Sequence, residues 1–239
     1  MQTISVSDSA AIRNLKKEYM LKKDRISKRL KEFDSFYSGK FSWHYENNSM
    51  ELRSNDKNPD HNLFEELCFC ILTANTSAEM GMKSIDRIRD LLVDGSQEEM
   101  SKNLEGVYRF NNLRPSFIIH TRNTLKEKNN FELKKLIESL KNSPDELRDF
   151  FVENVKGFGY KEASHFLRNI GLKGYAILDK HIINSLIEFR IINEVKMPLN
   201  KERYKELEGK LRVFSNEIEI AMDELDLLLW SRKNGKILK

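Results

Sequence analysis

The chain predicts an all-α fold. Only 10 glycines and 4 prolines punctuate its 239 residues, and apolar residues recur almost throughout with helical rather than alternating period. That length can bury a sizeable core as one large domain or two small ones. The first expected helix, residues 8–35, is strongly charged through Lys16, Lys17, Lys22, Lys23, Arg25, Lys28 and Arg29. Interspersed acids and Ile26, Leu30 and Phe33 favour an amphipathic surface helix over a nucleic-acid-binding arm. Residues 38–59 are polar, Asn/Ser-rich and aromatic, and are expected to form a linker or a small irregular strand-like region. Helices follow over 62–73, 78–93 and 115–127. The next is expected over 145–155, where Ser143-Pro144-Asp145-Glu146 has the spacing of a capping box with proline at the first helical position. Its apolar positions Leu147, Phe150, Phe151 and Val155 stop just before Gly157-Phe158-Gly159. A helix over 160–170 then places Ala163, Phe166, Leu167 and Ile170 on a core face, with Gly171 as its stop. The opposite stripe, Lys161, Ser164, His165 and Arg168, is expected to be polar and accessible. Asp179 precedes the pattern Ile182, Ile183, Leu186 and Phe189 and so reads as the N-cap of a helix over 180–190. Helices over 201–211 and 216–229 complete the chain, and no internal repeat is visible.

Composition narrows the function classes. Forty-one Lys and Arg against 37 Asp and Glu leave a formal charge of +4, so a phosphate-binding face has to be a local patch. Cys68 and Cys70 lie two apart on an apolar helix, face different directions and are expected to be reduced core residues. With no long apolar run and no signal-peptide pattern, the expected setting is intracellular, in the cytoplasm or nucleoid, without a membrane.

Gly157-Phe158-Gly159 between two helices suits an anion. Glycine lets a ligand approach the backbone closely, and the N–H groups at the next helix start carry the positive end of the helix dipole. Lys161 follows at once, and Asp179 caps a later helix, where a carboxylate stays ionised and can face a cleft.

This stretch, with Ile177-Leu178-Asp179-Lys180-His181, resembles the helix-hairpin-helix plus Gly/Pro-Asp motif of the endonuclease III superfamily of DNA glycosylases. Lys161 and Asp179 match its lysine and aspartate at the family separation, 179 − 161 = 18, although Leu178 stands where the family is rich in Gly or Pro. Leu72-Thr73-Ala74-Asn75-Thr76-Ser77 resembles the loop whose polar side chain, here Asn75, fills the hole left by a flipped base. Arg109-Phe110-Asn111-Asn112-Leu113-Arg114-Pro115 resembles the loop whose apolar residue, here Phe110, wedges into the duplex. The tail from Trp230 to Lys239, with the helix after Lys161, is similar to the compact archaeal-type 8-oxoguanine DNA glycosylases, over roughly residues 60 to 239.

The resemblance implies two helical lobes with the active site in the cleft between them. One lobe would be built from residues 1–61 and 176–239, the other from 62–175 with the helix-hairpin-helix at 145–170. It implies a monomeric base-excision repair enzyme acting on double-stranded DNA that contains a damaged base. Lys161 would be the nucleophile that forms a Schiff base, and Asp179 would stabilise the sugar cation. Gly157, Phe158 and Gly159 would grip phosphate, and Trp230, Lys239 and His165 would line the base pocket. An acceptor for the N7–H of 8-oxoguanine, a backbone carbonyl or the terminal carboxylate of Lys239, would reject guanine. No cofactor is required and no metal ligand is assigned. Relatives carry a structural cation on hairpin carbonyls near Val155 and Phe158, and two cysteines cannot build the four-cysteine iron–sulfur cluster of many superfamily members. The alternatives are a noncatalytic helix-hairpin-helix DNA-binding module and a glycosylase of the same superfamily for another lesion.

Overall fold

The computed structural model describes residues 10–47, 49–193, 195 and 197–239. In chain order they form α1 (Ala10–Phe36), β1 (Phe41–Glu46), β2 (Ser49–Ser54), α2 (Pro59–Thr73), α3 (Ala78–Ile88), α4 (Gln97–Leu104), α5 (Leu113–Asn129), α6 (Leu133–Leu140), α7 (Pro144–Asn154), α8 (Tyr160–Asn169), α9 (Lys180–Glu188), α10 (Lys201–Glu217) and α11 (Met222–Asn234). The fold is all-α, with one small antiparallel hairpin in which Trp43 pairs with Leu52 and Tyr45 with Met50. The expected start of the first helix at residue 8 lies outside the described residues.

Two compact units form, one from residues 1–31 and 173–239 and the other from 32–172. This division lies within α1, whereas the sequence suggested residue 61. The cause is Trp43 of β1, which packs edge-on against Phe33 at 5.9 Å and is stacked with Phe36 at 6.4 Å. The hairpin and the end of α1 are thereby joined in one core.

In the unit formed by 32–172, α2 is the central element, and every side chain from Asn62 to Thr73 is buried. It packs against α3, α5, α6, α8 and β1. Cys68 and Cys70 are free and buried here, and burial pushes the Cys68 thiol well above its ordinary range. Arg89, in a single 3-10 turn after α3 (Arg89–Leu91), bonds the buried Glu65 carboxylate, Asp86 at 2.6 Å and the Trp43 carbonyl at 2.8 Å. It therefore pins the hairpin to α2 and α3.

In the other unit α11 packs against α9 and α10. The α1 side chains reach it: the Tyr19 hydroxyl donates to Glu224 at 2.9 Å, and Lys22 donates to the Ser231 hydroxyl at 3.0 Å. Burial and that bond push Tyr19 up to about 12, which keeps it a neutral donor. Ile12, Leu15 and Ile26 form the buried stripe of α1 beneath its charged face.

Several expectations need correction. Of the two readings for residues 38–59 the strand-like one holds, but Phe41–Glu46 and Ser49–Ser54 pair regularly and are not irregular. The Ser143 side chain makes no capping bond, and α7 starts on Pro144, which pre-sets the helical φ. Two short helices, α4 and α6, were not foreseen. The first is held by a capping box, with Glu99 N–H donating to the Ser96 hydroxyl at 3.2 Å and Ser96 N–H to the Glu99 carboxylate at 2.8 Å. The helix expected over 216–229 is divided, because α10 runs on to Glu217 and Glu219 then takes φ 57, a left-handed conformation that ends it.

Candidate active site

The hairpin between α7 and α8 is built as the sequence suggests. Gly157 has φ +84, and a β-carbon there would lie 2.6 Å from the Phe117 ring and 3.1 Å from the Arg114 guanidinium, so only glycine lets α5 approach. The Phe158 ring is 9% exposed, so this residue can offer a ligand only its backbone. The Lys156 N–H donates to the Thr121 hydroxyl at 3.1 Å, which fixes the near side of the turn to α5. On the far side the Gly159 N–H donates to the Glu162 carboxylate at 3.2 Å, leaving the next N–H groups of α8 as those a phosphate can engage.

Lys161 occupies the first turn of α8 with its side chain 28% exposed, and its amine lies 3.6 Å from the Glu162 carboxylate. The accessible stripe expected on α8 is a correction. Ser164, His165 and Arg168 are all buried. The His165 ring packs edge-on against Phe69 at 5.9 Å, Ser164 accepts a bond from Arg148 at 3.2 Å, and the Arg168 guanidinium lies over Phe33 at 4.8 Å. The stripe is covered by α7, α2 and α1, through Arg148, Phe69 and Phe33 respectively. Of the four, only Lys161 keeps access to solvent.

The two predicted DNA-facing loops come together in the same unit. Asn75 is exposed with φ 63, and its carbonyl accepts a bond from Arg109 at 2.9 Å. Arg114 donates to the Ala74 carbonyl at 3.3 Å. Phe110 is half-buried, with the Arg109 guanidinium 4.3 Å and that of Arg114 5.5 Å from its ring. The Tyr108 hydroxyl donates to the Leu72 carbonyl at 2.6 Å, and burial pushes it up to about 12, so it remains a donor. Arg114 also lies over Phe117, the ring beneath Gly157, at 5.1 Å. Wedge loop, filler loop and hairpin are thus braced by one arginine.

In the other unit Asp179 caps α9. Its Oδ1 accepts from His181 N–H at 2.8 Å and Ile182 N–H at 2.9 Å. The indole N–H of Trp230, on α11, donates to Oδ2 at 3.1 Å. The strand-like segment before Asp179 is anchored by α10: Ala176 N–H donates to Glu208 at 2.9 Å and Leu178 N–H to the Tyr204 hydroxyl at 3.1 Å, while that hydroxyl donates to the Ala176 carbonyl at 2.6 Å. Lys239 is buried at 4% exposure, and Arg29 donates to the Ile237 carbonyl at 3.3 Å two residues before it.

Arg109, Arg114, Tyr108 and Glu162 are the functional supports that sequence reasoning missed. Only Glu162 left a signal, its capping-box spacing after Gly159. Among the described residues, no group of three or more His, Cys, Asp or Glu side chains is placed to hold a metal. No helix among them is long and apolar enough to cross a membrane.

Comparison with known proteins matches residues 45–220 to a family model described as 8-oxoguanine DNA glycosylase. The 8-oxoguanine DNA glycosylase/AP lyase of Methanocaldococcus jannaschii is 38% identical over 91% of this chain and 93% of its own. That of Korarchaeum cryptofilum is 41% identical over 75% of this chain and 84% of its own. A crystal structure of the M. jannaschii enzyme in complex with a 15mer DNA containing 8-oxoguanine matches with TM-score 0.77 at 37% identity, covering 95% of this chain and 100% of that one. Family model, relatives and solved structure agree over most of the length, and the chain belongs to the 8-oxoguanine DNA glycosylase family.

Proposed function

We propose that this chain is a base-excision repair enzyme that removes 8-oxoguanine from duplex DNA and cuts the resulting abasic strand through a lysine Schiff base. The observation that carries the reading is the setting of Lys161. In a chain of this family, it stands partly exposed in the first turn of α8, directly behind the Gly157-Phe158-Gly159 turn.

A glycosylase must swing its nucleotide out of the stack, because the glycosidic carbon is inaccessible in the duplex. The N–H groups at the start of α8 hold phosphate, Phe110 wedges into the duplex and Asn75 fills the vacated space. Unstacking costs a few kcal/mol, which wedging and phosphate contacts offset. The exposure of Asn75 and the arginine-braced ring of Phe110 support these roles. The extruded base lies against Trp230 and Lys239, and the burial of Lys239, in place of a frayed end, supports its assignment.

Lys161, as the neutral amine, attacks C1′ of the sugar. The N–C1′ bond forms as the C1′–N9 bond breaks, and the base departs with the bonding electrons and takes a proton. Asp179 stabilises the positive charge that develops on the sugar. Ring opening yields the protonated Schiff base, which acidifies the 2′ proton. Loss of that proton and cleavage of the C3′–O bond eliminate the 3′ phosphate, and water then frees Lys161. No cofactor enters these steps. A structural cation, where bound, would use turn carbonyls such as Val155, which accepts a bond from Phe158 N–H at 3.1 Å and keeps a second lone pair. The enzyme acts as a monomer in the cytoplasm or nucleoid.

Borohydride trapping tests the reading, since it reduces a Schiff base to a stable amine. Native protein should be trapped on a duplex with one 8-oxoguanine opposite cytosine, but not on undamaged DNA, and Lys161→Gln should not be trapped at all. Binding without any adduct would indicate a noncatalytic helix-hairpin-helix module, and an adduct only with another lesion would move the substrate within the superfamily.

A further inference from the structure

We infer that Trp230 is a positioning residue for the Asp179 carboxylate, so that one indole both meets the damaged base and aims the group that stabilises the sugar cation. The inference rests on the role given above to Asp179, and goes beyond the place in the base pocket that the family resemblance assigns to Trp230.

A carboxylate has about four lone-pair sites. Two on Oδ1 of Asp179 are committed to His181 N–H and Ile182 N–H at the start of α9, which fixes that oxygen to the helix end. The indole N–H, at 3.1 Å, takes one on Oδ2. One remains for the substrate, and its direction is set by the Trp230 bond, because rotation of the carboxylate that frees the indole would also disturb the cap. A donor aimed at an ionised acceptor is also one of the stronger hydrogen bonds.

The indole N–H lies in the ring plane, whereas the π faces are perpendicular to it. Trp230 can therefore hold Asp179 by its edge and meet a base with a face at the same time. It is half-buried on α11, and the next residue ties that helix to α1: Ser231 accepts from Lys22 at 3.0 Å and donates to the Leu228 carbonyl at 2.7 Å. The helix that carries the indole is thereby fixed where the bond to the carboxylate is made.

An abasic duplex separates the two roles, because it has no base to stack, while loss of the C1′ hydroxyl as Lys161 attacks its sugar builds the same positive charge that Asp179 stabilises. Single-turnover rates should be measured on 8-oxoguanine DNA and on abasic DNA for the native chain, for Trp230→Phe, and for a chain with benzothienylalanine at position 230, which keeps the bicyclic shape and replaces N–H by sulfur. Positioning predicts that the limiting single-turnover rate falls about tenfold on both substrates while the enzyme concentration giving half that rate on abasic DNA stays constant, as expected for loss of one hydrogen bond to a charged group. The analogue guards against a packing defect in Trp230→Phe. Loss on 8-oxoguanine DNA alone, with abasic cleavage at the native rate in both variants, would reduce Trp230 to a stacking platform and overturn the inference. Asp179→Asn separates the two readings: if it is inactive while both Trp230 variants are fully active, only the positioning role is lost. If Asp179→Asn itself processes 8-oxoguanine DNA at the native rate, the assigned role of Asp179 is wrong.

Discussion

At Gly157 two independent constraints meet in one residue. The turn needs φ +84, where an alanine is strained by roughly 1–2 kcal/mol, and a β-carbon would lie 2.6 Å from the Phe117 ring. Gly157→Ala should therefore destabilise the fold by about 2 kcal/mol or more once the overlap is added, read as a lower denaturation midpoint. It should also weaken DNA binding, because Arg114 packs on the same ring and bonds the Ala74 carbonyl beside Asn75. A variant of native stability and native affinity would show that the turn relaxes without cost. Lys161 and Asp179 were legible in the sequence because turn glycines, helix starts and capping aspartates are local signals. The bond from Trp230 to Asp179 was not, since its partners lie 51 residues apart and meet only when α9 and α11 pack. His165 was misread for the converse reason. Helical spacing gives a polar stripe but not what faces it, and α2 covers this one.

Among the elements, the long helices with a clear apolar stripe were legible, while α4 and α6 were not. Eight residues give little room for a period to show, and α6 carries its burial on Leu133 and Ile137 alone. The hairpin was blurred because its strands are only six residues long and its stability comes from elsewhere. Trp43 is held by Phe33 and Phe36, and its carbonyl by Arg89. That arginine is 11% exposed in its side chain and its partner Glu65 is 9% exposed, so removing the cation takes away the charge that balances a buried carboxylate. Arg89→Ala should cost about 3 kcal/mol in chemical denaturation, the usual penalty for breaking a buried pair on one side. Adding Glu65→Gln should restore part of it by removing the negative charge that the arginine balanced. If the double variant is as unstable as the sum of the singles, the pair is not the source of the loss.

For the whole molecule, a net charge of +4 from 41 basic and 37 acidic residues leaves no general attraction to DNA, so affinity must come from cations at the grip. Sequence alone reached that far, and the structure shows which cations are exposed beside the hairpin and both loops: Arg109 and Lys156, with Lys161 reserved for chemistry as a neutral amine. Each phosphate neutralised by a cation releases counterions and adds about 0.9 to the slope of log affinity against log salt. About two contacts therefore predict a slope near −2 for the native chain on a duplex with an uncleavable abasic analogue, measured by fluorescence anisotropy across a potassium chloride series. Lys156→Ala should lower that slope by roughly 0.9 and weaken binding to damaged and undamaged DNA alike, because a phosphate contact positions the protein without reading the base. A native slope twice as steep would mean that cations well beyond the hairpin join in, among them those of the charged face of α1. The same loss in affinity from Lys156→Ala without any change in slope would instead mean that the lysine shapes the turn and does not meet phosphate.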